Sequence, residues 1–478
     1  SARRALEQRP GRALAGMSTA VVAGTVLASF TKENGALLPV FVLVLEWTLL
    51  PAPQSISTFR WRAWKAVFLG FPTVLIIAYL VWRIPYPPDV VLRRDFTAWE
   101  RLLTESRILW EYLFNAFIPR PGQFGPFHDG HPIARTLLDP LTFLAFASWL
   151  VAAVLAVLWR RRYPLFAFGV SWFLAGHLLE STIIPLDLYY EHRNYLAIIG
   201  PLFALCATLL RVPRSRRRKS VYAGMSAYVL VNALMLFNVT SLWGNPSVAF
   251  GYWRERFPAS VYAVTAELAH IQATQGPAVT LGRLNEYVES NPKAGYLGIH
   301  ALKLACILDP ESNKEDVIEH LKVSLREVDF SFSAATMLSQ LAERVSTSPC
   351  RGVDLQALRA LAHALLENPR YASNATYNQL HHQFLALTYR YEGDPGRALD
   401  HLHRAMEYRA SSDLNMMTVM TLSASEEFDR AADFIDAARA RAPANPMKRH
   451  VWLHDLDELE EYVSRHRAAL AAIPGSDE

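Results

Sequence analysis

Arg211-Val212-Pro213-Arg214-Ser215-Arg216-Arg217-Arg218-Lys219 lies between two apolar stretches, 194–211 and 220–241, and contains no acid. Working outward, the same sign recurs in every second gap between oily segments. Arg160, Arg161 and Arg162 fill one such gap, and Arg60, Arg62 and Lys65 another. The N-terminus carries Arg3, Arg4, Arg9 and Arg12 against one acid, Glu7. The intervening gaps mix acids with bases. Short cytoplasmic loops retain Lys and Arg, because translocating them is unfavourable. The alternation predicts seven spans, at 13–31, 36–50, 64–83, 141–159, 164–182, 194–211 and 220–241. The N-terminus is then cytoplasmic and everything after residue 242 is outside.

The 478 residues are enough for more than one domain. Residues 1–242 are rich in Leu, Val, Ala, Phe and Trp, whereas 243–478 read as a soluble helical protein. The expected fold is all-α: a polytopic transmembrane bundle of about seven spans over 1–242, then an α-solenoid over 243–478. The net charge of +4 gathers at membrane edges and marks topology, so no nucleic-acid partner is expected. Three cysteines make no disulfide framework. Cys206 falls in a span, and Cys306 and Cys350 are able to pair. The chain begins Ser-Ala-Arg-Arg, without Met or a signal peptide, which suggests further spans upstream.

The stretch 36–50 is short for a hydrocarbon core of about 30 Å, and Glu46 near its cytoplasmic end is expected to reach the headgroups. Trp61, Trp64, Trp82, Trp159 and Trp172 cluster at span edges as an interfacial belt. Three segments face outward. The first is the turn Thr31-Lys32-Glu33-Asn34-Gly35. The second, 84–140, opens with Pro85-Tyr86-Pro87-Pro88. It continues with an amphipathic helix near 96–117, expected on the membrane surface, whose apolar face is Leu102, Leu103, Ile108, Leu109, Leu113 and Phe114, flanked by Trp110 and Tyr112. It ends in the turns Pro119-Arg120-Pro121-Gly122 and Phe127-His128-Asp129-Gly130-His131. The third runs from Glu180 to Tyr195.

In the soluble half, Gly396-Arg397-Ala398 returns as Asp429-Arg430-Ala431, and Ala405 as Ala438, both at an offset of 33. That is near the helix-turn-helix period of tetratricopeptide repeats. The second copy closes with Ala442-Pro443-Ala444-Asn445-Pro446. Between 258 and 370 the period blurs. Such arrays bind proteins or peptides, or act only as scaffolds.

Charges beside a bilayer are costly unless paired or placed in a wet cavity. Lys32-Glu33 and Glu191-His192-Arg193 both adjoin spans on the outer side. Arg193 and Lys32 suit a phosphate, Arg by its two-pronged donors and Lys as a point charge. His192 is able to donate to the same phosphate or to shuttle a proton. Glu33 and Glu191 would orient sugar hydroxyls or hold those cations. The alternative is a set of internal ion pairs that lock spans together. His128, Asp129 and His131 resemble a divalent-metal cluster, but their spacing matches no metal motif, and an ordinary polar turn is the favoured reading. His177 on an apolar face reads as a hydrogen-bonded core histidine. No phosphate-cradling glycine loop, nucleophile elbow or Cys/His zinc spacing is present.

In order, these pieces resemble the transmembrane-and-tetratricopeptide O-mannosyltransferases and their bacterial relatives. The turn 31–35 is similar to their Lys-Glu motif. Glu100-Arg101-Leu102-Leu103-Thr104, Phe127-His128-Asp129 and Leu137-Leu138-Asp139-Pro140 are similar to the long external loop of the bacterial members. Glu191-His192-Arg193-Asn194-Tyr195-Leu196 looks like Glu-x-Arg-x-Tyr-Leu-Pro, with Ala197 in place of the proline. The resemblance implies a GT-C class glycosyltransferase of the bacterial cytoplasmic membrane, with its C-terminal domain in the periplasm. It would pass a sugar from a polyprenyl-phosphate carrier to an acceptor, expected to be a protein reached through the repeats. Lys32, His192 and Arg193 would take the donor phosphate. Glu33, Asn34, His128, Asp129, Glu191 and Tyr195 would line the cavity. The catalytic carboxylate is expected upstream of Ser1. No cofactor is certain, and a divalent metal stays open. Competing readings are a non-catalytic envelope scaffold and an oligosaccharide polymerase or ligase.

Overall fold

The computed structural model describes residues 9–471 except 85, 87–93, 95, 119, 121–124, 130, 212–216, 259 and 445. Arg3, Arg4 and Glu7, most of the basic run 211–219, Pro85, Pro87, Pro88, Pro119, Pro121, Gly122, Gly130 and Asn445 therefore lie outside the described residues. The chain is all-helical, and among the described residues there is no strand, only an isolated bridge between Cys350 and Val353. It divides into two compact units, Ser1–His270 and Ile271–Glu478. The sequence expectation put this division at residue 242.

Among the described residues, four helices of the first unit are long and apolar enough to cross a membrane: α1 (Pro10–Thr31), α3 (Thr58–Trp82), α5 (Pro140–Trp159) and a helix over Lys219–Trp243. A fifth crossing is added if the bent pair Glu191–Ala197 and Ile199–Leu210, which breaks by 49°, counts as one span. Two apolar helices are shorter: α2 (Leu38–Thr48) and α6 (Pro164–Gly176). The helix Lys219–Trp243 leaves Leu230, Val231, Leu234, Leu236 and Phe237 exposed on the protein. Each such side chain is worth about 1.5–3 kcal/mol when removed from water, so this surface suits an apolar environment such as a lipid bilayer.

The short helices are buried instead. Val40, Phe41 and Val44 of α2 share a core with Phe168 and Phe173 of α6 and with Ala197. Small residues allow the approach. A Cβ on Gly176 would lie 2.7 Å from the Cα of Ala197, and one on Gly200 would lie 2.5 Å from the Cβ of Trp172. Backbones this close are a common way for membrane helices to pack. A Cβ on Gly35 would lie 2.2 Å from the carbonyl carbon of Ala28, so the 3-10 turn Glu33–Leu37 folds back on the end of α1.

Helix α3 is not regular. Ala66–Gly70 forms a π-helical turn between two α-helical halves. The first half buries Trp61 and Trp64 in a small cluster with Val21 and Leu69, and the Trp64 indole donates to Ser18 Oγ at 2.9 Å. The second half buries Leu80 in the main core. Glu46, expected to reach the headgroups, is buried and engaged in a polar interaction.

The expected amphipathic helix forms as α4 (Ala98–Phe117). A capping box starts it: Glu100 N–H donates to Thr97 Oγ1 at 3.2 Å, and Thr97 N–H to Glu100 Oε2 at 2.8 Å. Its buried stripe differs from the expected apolar face, because Arg101, Thr104, Glu105 and Tyr112 lie on it while Trp110 and Phe114 are exposed. The helix docks on protein through that polar stripe.

In the second unit, helices pack on their chain neighbours. Ala375–Tyr391 packs on Pro395–Tyr408, that helix on Ser412–Ala424, then Phe428–Ala440 and Pro446–Ala471. Ala398, Ala405, Ala431 and Ala438 are all buried. They stand on Pro395–Tyr408 and Phe428–Ala440, so the sequence offset of 33 relates two real helices. Cys306 and Cys350 form a disulfide with Cα atoms 5.5 Å apart. It is seated beside Gly352, whose φ of +77° and whose crowding by Asn313 both favour glycine.

Candidate functional site

The three outward segments of the sequence reading meet in the first unit. Lys32 Nζ lies 3.2 Å from Glu180 Oε1, and Arg193 Nε lies 3.9 Å from Glu180 Oε2. Lys32 is 46 % exposed, Glu180 10 % and Arg193 5 %. Glu180 follows the end of α6, Lys32 ends α1, and Arg193 closes the 3-10 turn Glu191–Arg193, so three element ends supply one ionic cluster.

Arg193 is also tied locally. It donates to the Asp187 carbonyl and, at 3.1 Å, to that of Leu188, and its guanidinium lies 5.4 Å from the Tyr190 ring centroid. A second arginine braces the same loop. Arg101 is fully buried beside Glu105, with Nη2 2.7 Å from Oε1. Arg101 donates to the carbonyls of Glu180 at 2.7 Å and Leu186 at 2.5 Å. Arg94 pairs with Asp187 at 2.5 Å. Burial pushes the Glu105 carboxyl up to about 7, although Arg101 and Arg193 act to lower it. The Arg101 value is lowered, again first by burial. Both directions say that desolvation outweighs the mutual attraction of this pair.

His192 is exposed and lies near Tyr190, ring centroids 5.3 Å apart. Burial, then Lys32 and Arg193, push its imidazole below the usual histidine value. Glu191 and His128 meet at 2.7 Å, and the His128 ring lies 4.5 Å from that of Tyr189. Asp129 turns away from this group: it accepts from Ser260 Oγ and from the Tyr262 N–H at 3.3 Å. Ser260 Oγ in turn accepts from the Ala263 N–H at 3.0 Å, so Asp129 reinforces the start of the helix Val261–Gln275. His131 lies 3.4 Å from Glu111. Among the described residues no three His, Cys, Asp or Glu side chains gather to hold a metal. His128, Asp129 and His131 have separate partners, as an ordinary polar turn would. Asn34 is buried, whereas Glu33 and Tyr195 are exposed. His177 is a core histidine, 3.0 Å from Ser181 Oγ and stacked on Tyr112.

Glu180, Arg101 and Glu105 were not picked out from the sequence as site residues. Arg101 and Glu105 carried a usable signal, since they stand four apart on the face that also holds Ile108 and Tyr112. Glu180 had a weaker one, a lone carboxylate at the end of an apolar run.

No family model, curated protein or solved structure matches this chain.

Proposed function

We propose that the first unit belongs to a GT-C type membrane glycosyltransferase, using Lys32, Arg193 and His192 to hold the phosphate of a polyprenyl-linked sugar on the outer side of a bacterial cytoplasmic membrane. The observation that carries this reading is the meeting of Lys32 and Arg193 at one carboxylate, with His192 in their field. Cations fixed at element ends stabilise a leaving phosphate without reorganising during reaction. In this reading the four long helices, the bent pair, α2 and α6 make seven spans. The second unit is a tetratricopeptide-like array that meets a protein acceptor. The disulfide Cys306–Cys350 supports an extracytoplasmic second unit, because such bonds persist in oxidising compartments.

The test is donor binding and sugar transfer by Arg193 variants. Arg193→Ala abolishes carrier binding, and Arg193→Lys weakens it, since a point charge lacks the two-pronged contact. Transfer undiminished in a folded Arg193→Ala protein sinks the phosphate role. Loss of stability alone favours the internal ion-pair reading. Impermeant labelling tests the orientation: a cysteine at Ser312 reacts in intact spheroplasts and one at Ser215 does not.

A further inference from the structure

The charges around Lys32 do not balance. Two cations, Lys32 and Arg193, share one carboxylate, Glu180. The neighbouring Arg94–Asp187 pair is neutral within itself, and the Arg101–Glu105 pair is neutral when Glu105 is ionised. Glu191 lies against His128, which offsets its charge only when the imidazole is protonated, and Glu33 is exposed outside the triad. The triad therefore carries a surplus of one positive charge. The field at His192 agrees, because after burial the cations Lys32 and Arg193 perturb its imidazole more than the acids Glu180 and Glu191 do.

Glu180 is also held where it is. Its carbonyl accepts from Arg101 Nη2 at 2.7 Å, and its side chain is only 10 % exposed. That bond fixes the Glu180 backbone, and an arriving anion meets its carboxylate between the two cations. One negative charge on the ligand neutralises the surplus. A second would face Glu180 in a partly desolvated site, where like charges repel more strongly than in water.

We propose that Glu180 is a specificity-determining residue: it admits singly charged phosphate diesters beside Lys32 and Arg193 and disfavours multiply charged diphosphates. The proposal rests on the phosphate reading of the same cluster. Removing the carboxylate changes the preference, because it raises the surplus to two.

The experiment measures binding of two soluble probes, dibutyl phosphate and butyl diphosphate, to the whole chain in detergent micelles by calorimetry. In Glu180→Gln the affinity for the diphosphate rises on the order of tenfold more than that for the diester. Lys32→Gln, at a half-exposed position, lowers diphosphate affinity more than diester affinity. An unchanged ratio of the two affinities in both variants overturns the role of Glu180 and leaves the phosphate reading standing. Failure of both probes to bind wild type and variants alike overturns both. If Glu180→Gln does not fold, the Lys32→Gln ratio decides, since no change there removes the charge count on which the proposal stands.

Discussion

Helix α1 and helix α6 are both apolar, yet the chain uses them in opposite ways. Over its 22 residues α1 buries only Val21. Over its 13 residues α6 buries seven, among them Phe168, Phe173 and Gly176. A long helix satisfies its own backbone across the membrane and needs few partners. A short one cannot cross on length alone, and its ends must be met by other groups. Past α6 those groups are Glu180, Arg193, Arg101 and Lys32. Polar chemistry in this unit therefore collects past the end of short α6 and along the buried stripe of α4, and is sparse along α1.

The sharpest way to break that comparison is at the buried pair. Glu105→Ala leaves the Arg101 guanidinium buried without its carboxylate, with an expected loss of about 3–5 kcal/mol in chemical unfolding. Removing the exposed Glu367, which pairs with Arg326 in the second unit, should change little. Equal losses would show that burial does not separate the two regions.

The disulfide comes next. Its two cysteines are 44 residues apart, so reduction should destabilise the second unit by about 3–4 kcal/mol. The first unit, whose Cys206 is free, should keep its unfolding midpoint in reductant.

The glycines separate the two helix types more finely. Gly176→Ala forces the backbone at Ala197 away, with a loss of about 1–3 kcal/mol in a thermal or denaturant assay. Gly16→Ala in α1 meets nothing within 4 Å and should be neutral or slightly stabilising. A loss at Gly16 matching that at Gly176 would mean that α1 has a tight neighbour too.

A further expected effect is on pH dependence. The folded Glu105 carboxyl sits near 7, above its ordinary 4.5, so the folded state binds this proton more tightly than the unfolded state. Its contribution is full below about 4.5 and is lost as pH rises toward about 7. Glu105→Gln should flatten the fall of stability across that window. A slope unchanged by the substitution would assign it to other groups.

Reading the sequence by apolar runs and charge alternation located the long helices well, because Leu, Val and Phe in unbroken order leave few alternatives. The short segments were legible as apolar but not as interior. The cue for α6 is its glycines, which are small for the sake of Ala197 and Ala204, and contact partners cannot be read from one chain. Lys32 and Arg193 stood out as charges at span edges. Their counterion did not, since Glu180 is more than a hundred residues from Lys32 and no local period links them. Asp129 drew notice beside two histidines, but its partners, Ser260 and Tyr262, lie in a stretch with no distinguishing motif.

The π turn at Ala66–Gly70 gives α3 one more residue than a regular helix of the same rise would hold. That extra residue twists everything after it by roughly 100° relative to everything before it. The two halves can then aim their buried side chains independently, Trp61 and Trp64 at one cluster and Leu80 at another. Geometrically the turn works as a fixed swivel. Excising a single residue there would unwind it, restore regular winding and rotate Leu80 off its core, while leaving the length and hydropathy of the span almost untouched.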